Sequence, residues 1–355
     1  MKMFFVPSDN QLSYRSIPRN KDLGYTITNH CDFPSRTLVV DRHGYCFVCA
    51  CEAWLPISVG HITDFASLAD IWNSPTAREL QADIDSKKFT HCAVDRCGVM
   101  EKDIRSAELC GRENQGNDVY YLSINIDDSC NLRCPSCRND LVMITSGSEF
   151  DQRLQMVQHL VSLLENFDQP LHLVMSGNGD PLASNIMRPL LHRWRPKSNQ
   201  TIRLFTNGLL LRKQLTDNNI VNNITQYFIS IDAGSAAVYE QVRQPGRFDV
   251  LLDNFDFLRD LVQQTGAHVL LKFVLQEANY NDMENFVDLC QHYQFRGVIN
   301  RLEDWGTWKQ FAEQDVIGNT QHVYHNQAMT NLRDIYHRYH DRIQFNPSLA
   351  RLANE

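Results

Sequence analysis

The chain has 355 residues, 43% of them hydrophobic and 21% charged, with a formal net charge of -8. That length suits a barrel-sized catalytic domain plus one small domain, and the composition is ordinary for a globular protein. No basic patch dominates, so nucleic acid is not an expected partner; no apolar run exceeds strand length, so no membrane span is expected, and the opening MKMFFVPSDNQLSYRS is too weakly apolar for a signal peptide. A cytoplasmic protein is expected. There thiols stay reduced, and clustered cysteines more often bind metal or do redox chemistry than form disulfides. Ten of the eleven cysteines lie between Cys31 and Cys137, and only Cys290 lies beyond.

To about residue 115 the chain is rich in cysteine, turns and short elements. A helical stretch is predicted over 67–86, split at Pro75 with Ser74 as the cap of its second piece. Segment 111–118, GRENQGND, reads as a linker. From 119 a regular alternation begins. Apolar strands are predicted at 119–126, 171–176, 202–206, 226–232, 268–275 and 296–300, with helices at 151–166, 184–194, 209–219, 247–264 and 282–293. Six strands alternating with helices imply a parallel sheet with right-handed crossovers. A barrel and a flat doubly wound sheet share that signature.

Cys130, Cys134 and Cys137 follow the first of these strands as C-x3-C-x2-C. A [4Fe-4S] cube takes one thiolate per iron, so three cysteines leave one iron open to chelate an amine and a carboxylate. A structural zinc site is the alternative, but zinc favours paired C-x2-C knuckles and only the second gap has that spacing.

In these residues the sequence resembles the radical S-adenosylmethionine (SAM) superfamily. The resemblance covers about 119–305 and implies an α/β fold, a partial (β/α)6 TIM-like barrel. It also implies that Cys130, Cys134 and Cys137 hold a SAM-binding [4Fe-4S] cluster. That cluster reductively cleaves SAM to a 5'-deoxyadenosyl radical, which abstracts hydrogen from a substrate. One departure is Ser136, where an aromatic residue is common. In α/β barrels ligands sit at the C-terminal ends of the strands, and there the family likeness continues. Gly177, Asn178, Gly179 and Asp180 resemble the turn that holds the SAM ammonium, with Asn178 intervening and Asp180 in place of a glutamate. Thr206-Asn207-Gly208 resembles a second family turn. Ser230 and Asp232 resemble contacts to the ribose and carboxylate of SAM, and Arg243 an arginine that pairs with the carboxylate. Each motif taken alone is also an ordinary turn.

Earlier in the chain Cys31, Gly44 and Cys49 form C-x12-G-x4-C. They are followed by Pro56/Gly60/Ile62, then Leu68/Ile71/Trp72/Asn73/Ser74, and Cys92/Cys97 close the segment. Spacing alone leaves zinc and iron–sulfur open. The whole pattern resembles the SPASM auxiliary-cluster domain in a short, twitch-type form, here ahead of the barrel rather than after it. The resemblance implies that Cys31, Cys49, Cys92 and Cys97 hold a second, auxiliary [4Fe-4S] cluster. Cys46, Cys51 and Cys110 are left over and read as small buried residues, with Cys51 able to replace Cys49 and Cys110 able to serve a further cluster. Cys290 reads as core.

The resulting organisation is an auxiliary-cluster domain over 1–115, a barrel over 116–310 and a helical extension over 311–355. Arg301, Glu303, Trp305 and Trp308 fall at the barrel mouth as substrate contacts or as a packed lid. The substrate implied first is a peptide or protein. The second reading is a small molecule such as a sugar or nucleotide, and the third a non-catalytic Fe–S electron carrier, which would not need the SAM-type strand-end motifs. An electron donor such as flavodoxin or ferredoxin is expected.

Overall fold

A computed structural model describes residues 31–93, 97, 99, 119–304 and 306–354. Cys110, Trp305, the first thirty residues and the 111–118 linker lie outside the described residues. The chain divides into two compact units. One draws on Met1–Asp128, Ile144–Asn178 and Asn185–Ile202, the other on Ser129–Met143, Gly179–Ser184 and Arg203–Glu355.

In the first unit, α1 (Phe33–Arg36) leads into β1 (Thr37–Val40), β2 (Tyr45–Phe47) and β3 (Ser58–His61). β1 pairs antiparallel with β2, and β2 with β3. On its other side β1 runs parallel to β4 (Tyr120–Ile124), which in turn runs parallel to β5 (Leu171–Met175). The cysteine-rich segment therefore joins the first strand of the alternation edge to edge, Leu38 level with Leu122. Gly44 makes the β1–β2 turn at φ 82°, where any Cβ would collide with His61 and Met156. The predicted helix is split as expected, into α2 (Leu68–Trp72) and α3 (Pro75–Asp85), and Ser74 Oγ caps the second by accepting from Ala77 N at 3.3 Å. Trp72 donates from Nε1 to Thr37 O at 3.0 Å and packs on Tyr120 and Phe167 at 4.6 and 5.9 Å, pinning this helix pair to β1 and β4. α4 (Ser148–Glu165) carries Leu154, Met156, Val157, Leu160, Val161 and Leu164 at helical spacing on one face and buries all of them but Leu154, which is half-buried. Its Arg153, 6% exposed, holds Asp128 at 2.9 Å, Glu149 at 2.7 Å and Ile126 O at 3.2 Å. That anchors the stretch that leads into the cysteine loop. The helix expected over 184–194 is reduced to one wide turn at Pro189–Arg193, because Pro189 has no N–H to continue an α-helix.

The second unit has strand order β10-β9-β8-β7-β6. Its strands are β6 (Gln200–Thr206, from Arg203 onward), β7 (Ile224–Ser230), β8 (His268–Leu275), β9 (Arg296–Arg301) and β10 (Ile343–Phe345). β7 through β10 are parallel. The crossovers are α5 (Leu211–Leu215), α6 (Ala236–Val242), α7 (Phe248–Thr265) and α8 (Met283–Tyr293). The tail forms α9 (His325–Tyr339) and α10 (Pro347–Asn354). Met329, Leu332 and Ile335, at helical spacing on α9, are buried, and Tyr336 beside them is half-buried. His322 and His325 are engaged through ring nitrogens by the carbonyls of Glu313 and Val316, at 2.8 and 2.9 Å. Among the described residues no helix is long and apolar enough to cross a membrane.

Candidate iron–sulfur and SAM site

Four of the N-terminal cysteines are grouped. Cys31, Cys49, Cys92 and Cys97 are all buried, between 5% and 7% exposed. Burial holds the Cys49 thiol well above its ordinary range. The backbone N–H of Cys51 opposes this, and the nearby thiols of Cys97, Cys31 and Cys92 raise it further. A buried set of mutually repelling thiols is a natural host for a cationic metal centre, which needs its ligands as thiolates and compensates their charge. The alternatives separate here. Cys46 lies fully buried in β2 near Asp41 and Asp64, and Cys51, half-buried, faces Cys49 with its backbone N–H.

In the second unit, Cys130, Cys134 and Cys137 lie on one tight loop. Cys137 N and Arg138 N both donate to Cys134 O, at 2.9 and 3.0 Å. The loop is braced by Cys130 N to Val142 O at 2.9 Å and by Arg133 N to Gln244 O at 2.7 Å. Cys134 is buried, Cys130 half-buried and Cys137 exposed. Burial pushes the Cys130 thiol up to about 11, Asp180 adds to the rise, and the Leu132 N–H and Arg138 oppose it. Arg138 bonds Cys137 and lies within the field of all three thiols. Leu132 N reaches Cys130 Sγ at 3.4 Å, Asn207 Nδ2 reaches the same sulfur at 3.9 Å, and Arg243 Nη1 reaches Cys134 Sγ at 3.6 Å. Three thiols with N–H donors and two guanidinium groups aimed at sulfur fit an anionic iron–sulfur cluster, since such donors stabilise thiolate ligands. Among the described residues no three His, Cys, Asp or Glu side chains converge on a single metal ion. A cube needs its thiolates at separate corners rather than around one point.

Asp180 sits at the centre of the strand-end turns, 3% exposed. Its carboxylate accepts from Thr206 Oγ1 at 2.8 Å, Asn207 N at 2.7 Å and Leu182 N at 2.9 Å. Its own N–H donates to Ser129 O at 2.8 Å, which fixes it to the start of the cysteine loop. Burial raises its pKa, and the surrounding donors oppose that rise. Asp180 thus binds the Thr206-Asn207-Gly208 turn to the cysteine loop, and Asn207 Nδ2 completes the link by donating to Asn131 Oδ1 at 2.8 Å. Asp180→Ala is expected to destabilise the protein by about 1–3 kcal/mol for each buried donor left unsatisfied. Urea unfolding measures this, and Asp180→Asn, which keeps one acceptor oxygen, is expected to recover part of the loss.

Gly177 and Asn178 belong to the first unit; Gly177 has φ 130°, a backbone that only glycine adopts without strain. Ser176 Oγ there donates to Asn125 Oδ1 at 3.2 Å. At the end of β7, Asp232 is 1% exposed with φ 53°. Its carboxylate holds Arg243 Nη2 at 2.6 Å and accepts from Val274 N at 2.8 Å. Asn279 Nδ2 caps its carbonyl at 2.8 Å. Arg243 thus links Asp232 to Cys134, while Ser230 ends β7 level with Lys272. Sequence reasoning missed Arg138, Asn131 and Asn279. Arg138 was readable as the cation directly after the third cysteine; Asn131 and Asn279 act through folds of the chain that no local pattern reveals. Arg301 pairs with Asp315 at 3.3 Å, Glu303 is exposed, and Trp308 packs on Phe311 at 6.4 Å.

Residues 31–98 match the family model of the SPASM iron-sulfur cluster-binding domain. The chain is 25% identical over 200 residues to a GTP 3',8-cyclase of Limosilactobacillus fermentum, covering 52% of this chain and 57% of that protein. A GTP 3',8-cyclase of Synechocystis is 24% identical over 183 residues, covering 51% and 52%. The chain thus spans about half the length of these curated relatives. Among solved structures, Streptococcus suis SuiB bound to S-adenosylmethionine aligns with a TM-score of 0.40 at 13% identity, over 78% of this chain and 62% of that one. The anSMEcpe structure with bound AdoMet aligns at 0.41 and 15%, over 64% and 61%. The α/β alternation with a cysteine-rich segment ahead of it is the fold class that the sequence implied. Residues 31–98 thus carry an iron–sulfur cluster-binding SPASM domain ahead of the parallel strands, and the chain as a whole is similar to radical SAM enzymes of the GTP 3',8-cyclase kind.

Proposed function

We propose that this chain catalyses reductive cleavage of SAM and abstraction of hydrogen from its substrate. When bound, the cluster and SAM supply a 5'-deoxyadenosyl radical able to attack an unactivated C–H bond. The single observation that supports this reading most is the loop of Cys130, Cys134 and Cys137 with the N–H groups of Asn207 and Arg243 directed at sulfur. On this reading those thiolates hold the cluster, and Gly177, Asn178, Gly179 and Asp180 border the SAM ammonium. Asn207, Ser230, Asp232 and Arg243 position the rest of the cofactor. Arg243, fixed by Asp232, offers one further donor: its buried Nε has no hydrogen-bond partner among the described residues. Asp180→Ala is expected to weaken SAM binding by about 1.5–3 kcal/mol, the worth of a hydrogen bond to a charged group, as read by calorimetric titration.

The segments 1–115, 116–310 and 311–355 serve as auxiliary domain, catalytic domain and helical extension, in a cytoplasmic enzyme fed by flavodoxin or ferredoxin. A peptide or protein substrate follows from the SPASM domain. A small molecule such as a sugar or nucleotide is the second reading, favoured by the nucleotide named for the curated relatives. Cys31, Cys49, Cys92 and Cys97 hold the auxiliary cluster and take no part in SAM binding. Replacing Cys92 and Cys97 by Ala is therefore expected to leave SAM cleavage to 5'-deoxyadenosine intact while stopping conversion of the substrate. The check is product analysis on protein shown to be folded by circular dichroism and size exclusion, since a metal-held domain can unfold without its metal. Normal turnover by a folded double variant would reduce the auxiliary site to a structural role.

A further inference from the structure

β8 reads HVLLKFVL and carries one lysine, Lys272, in its apolar run. Val269, Leu271, Phe273 and Leu275 take the buried face, where Phe273 meets Phe286 of α8 at 5.0 Å. Lys272 stands on the opposite face by the period of two. The strand register sets it level with Ser230 of β7 on one side and Val298 of β9 on the other, with Asn300 level with Val274 one step along that face. Phe205 and Phe228 stack there at 4.3 Å with planes 3° apart, and Lys272 Nζ lies 5.6 Å from the Phe205 ring centroid.

The Lys272 carbonyl accepts from Ile231 N and Asp232 N at 3.0 and 3.2 Å, but its Nζ makes no hydrogen bond or ion pair among the described residues. Asp232, the acid that acts on it most strongly, is already taken by Arg243 at 2.6 Å, and Glu303 is exposed. Burial lowers the lysine pKa; Asp232 and Glu303 oppose this and Arg243 reinforces it. Two neutral donors share the same deficit. Asn300 Nδ2 and Gln276 Nε2 are buried with no hydrogen-bond partner among the described residues. Gln276, 3% exposed, follows β8 in step with Val274. An unpartnered acceptor, Gln226 Oε1, stands level with His268 at the other end of the strands. Buried donors without acceptors are costly and rare, so a cluster of them on one face calls for a partner. A half-buried ammonium with two spare NH2 groups along one face is a surplus of donors that one acceptor-rich anionic group would satisfy.

We infer that this face recognises an anionic group of the substrate, with Lys272 as its charge partner, Asn300 and Gln276 as hydrogen-bond donors, and the Phe205–Phe228 stack as the apolar wall beside it. The inference rests on the radical SAM reading, because Ser230 level with Lys272 puts this face next to the cofactor. The anion is a phosphate or a carboxylate. Reconstituted protein with SAM present is titrated calorimetrically with pyrophosphate and, separately, with tricarballylate; SAM affinity and 5'-deoxyadenosine release are measured on the same preparations. The wild-type protein is expected to bind one of the two saturably. Lys272→Met should weaken that binding about tenfold or more, the worth of a lost charge-assisted hydrogen bond, while Lys272→Arg should restore most of it. Preference for pyrophosphate assigns a phosphate, and preference for tricarballylate a carboxylate. The inference is overturned if neither probe binds saturably, if Lys272→Met binds as the wild type does, or if that variant loses SAM affinity instead. Lys272-dependent anion binding in protein that releases no 5'-deoxyadenosine supports the lysine site and overturns the radical SAM reading.

Discussion

Replacing Cys130, Cys134 and Cys137 together by Ala is expected to lower the iron of anaerobically reconstituted protein from about eight atoms per chain to about four. Release of 5'-deoxyadenosine should cease altogether. The reason is that the two cysteine groups belong to different units. Cys31, Cys92 and Cys97 act on Cys49, whereas Cys130, Cys134 and Cys137 share Arg138 and lie in the second unit. The cysteine loop is shaped by backbone bonds, Cys130 N to Val142 O, Arg133 N to Gln244 O and Cys137 N to Cys134 O, none of which needs sulfur. Removing three thiols therefore strips ligands without removing the turn. Iron assay by ferrozine and chromatographic detection of 5'-deoxyadenosine read the two effects separately. Retention of all the iron by the triple variant would show that these cysteines hold no cluster.

The parallel strands were legible because they are buried on both faces and so appear as apolar runs; β5, LHLVM, is buried at all five positions. β1 to β3 were not, because strands of three or four residues carrying Cys46, Gly60 and His61 give no run long enough to show a period. α6 escaped for the same reason at seven residues. The helix expected at 184–194 failed at Pro189, a local signal that periodicity outweighed. The two cysteine groupings were readable because their members lie close in sequence or within one recognisable segment. The frame around them was not. Asp180 is held by Thr206 and Asn207, Arg133 by Gln244, and Asp232 by Asn279, pairs that only the closed fold brings together. Lys272 was signalled in principle, as one charge in step with Val274 rather than with the buried positions of β8.

Arg243→Met is expected to be the most destabilising single change at the site, by about 3–5 kcal/mol, because it leaves the Asp232 carboxylate buried without its cation. The pair is short, 2.6 Å, and the side chains are 11% and 2% exposed, so water cannot take the place of the guanidinium without opening the end of β7. Burial works against the Arg243 charge, and Asp232, followed by the Cys134 thiol, restores it. Asp232 also has a backbone duty. Its φ of 53° lies in the left-handed region that asparagine tolerates and most residues do not, and its Oδ1 accepts from Val274 N at 2.8 Å. Asp232→Asn therefore removes the charge while keeping both the backbone conformation and that bond. This makes a clean double-mutant cycle: Arg243→Met alone buries an unpaired anion, whereas Arg243→Met with Asp232→Asn buries none. The double variant is expected to be more stable than the sum of the single losses by about 0.5–3 kcal/mol. Urea unfolding midpoints at constant m-value measure all four corners of the cycle. If Arg243→Met unfolds at the wild-type midpoint, or if the two losses simply add, the ion pair does not hold this corner of the site together.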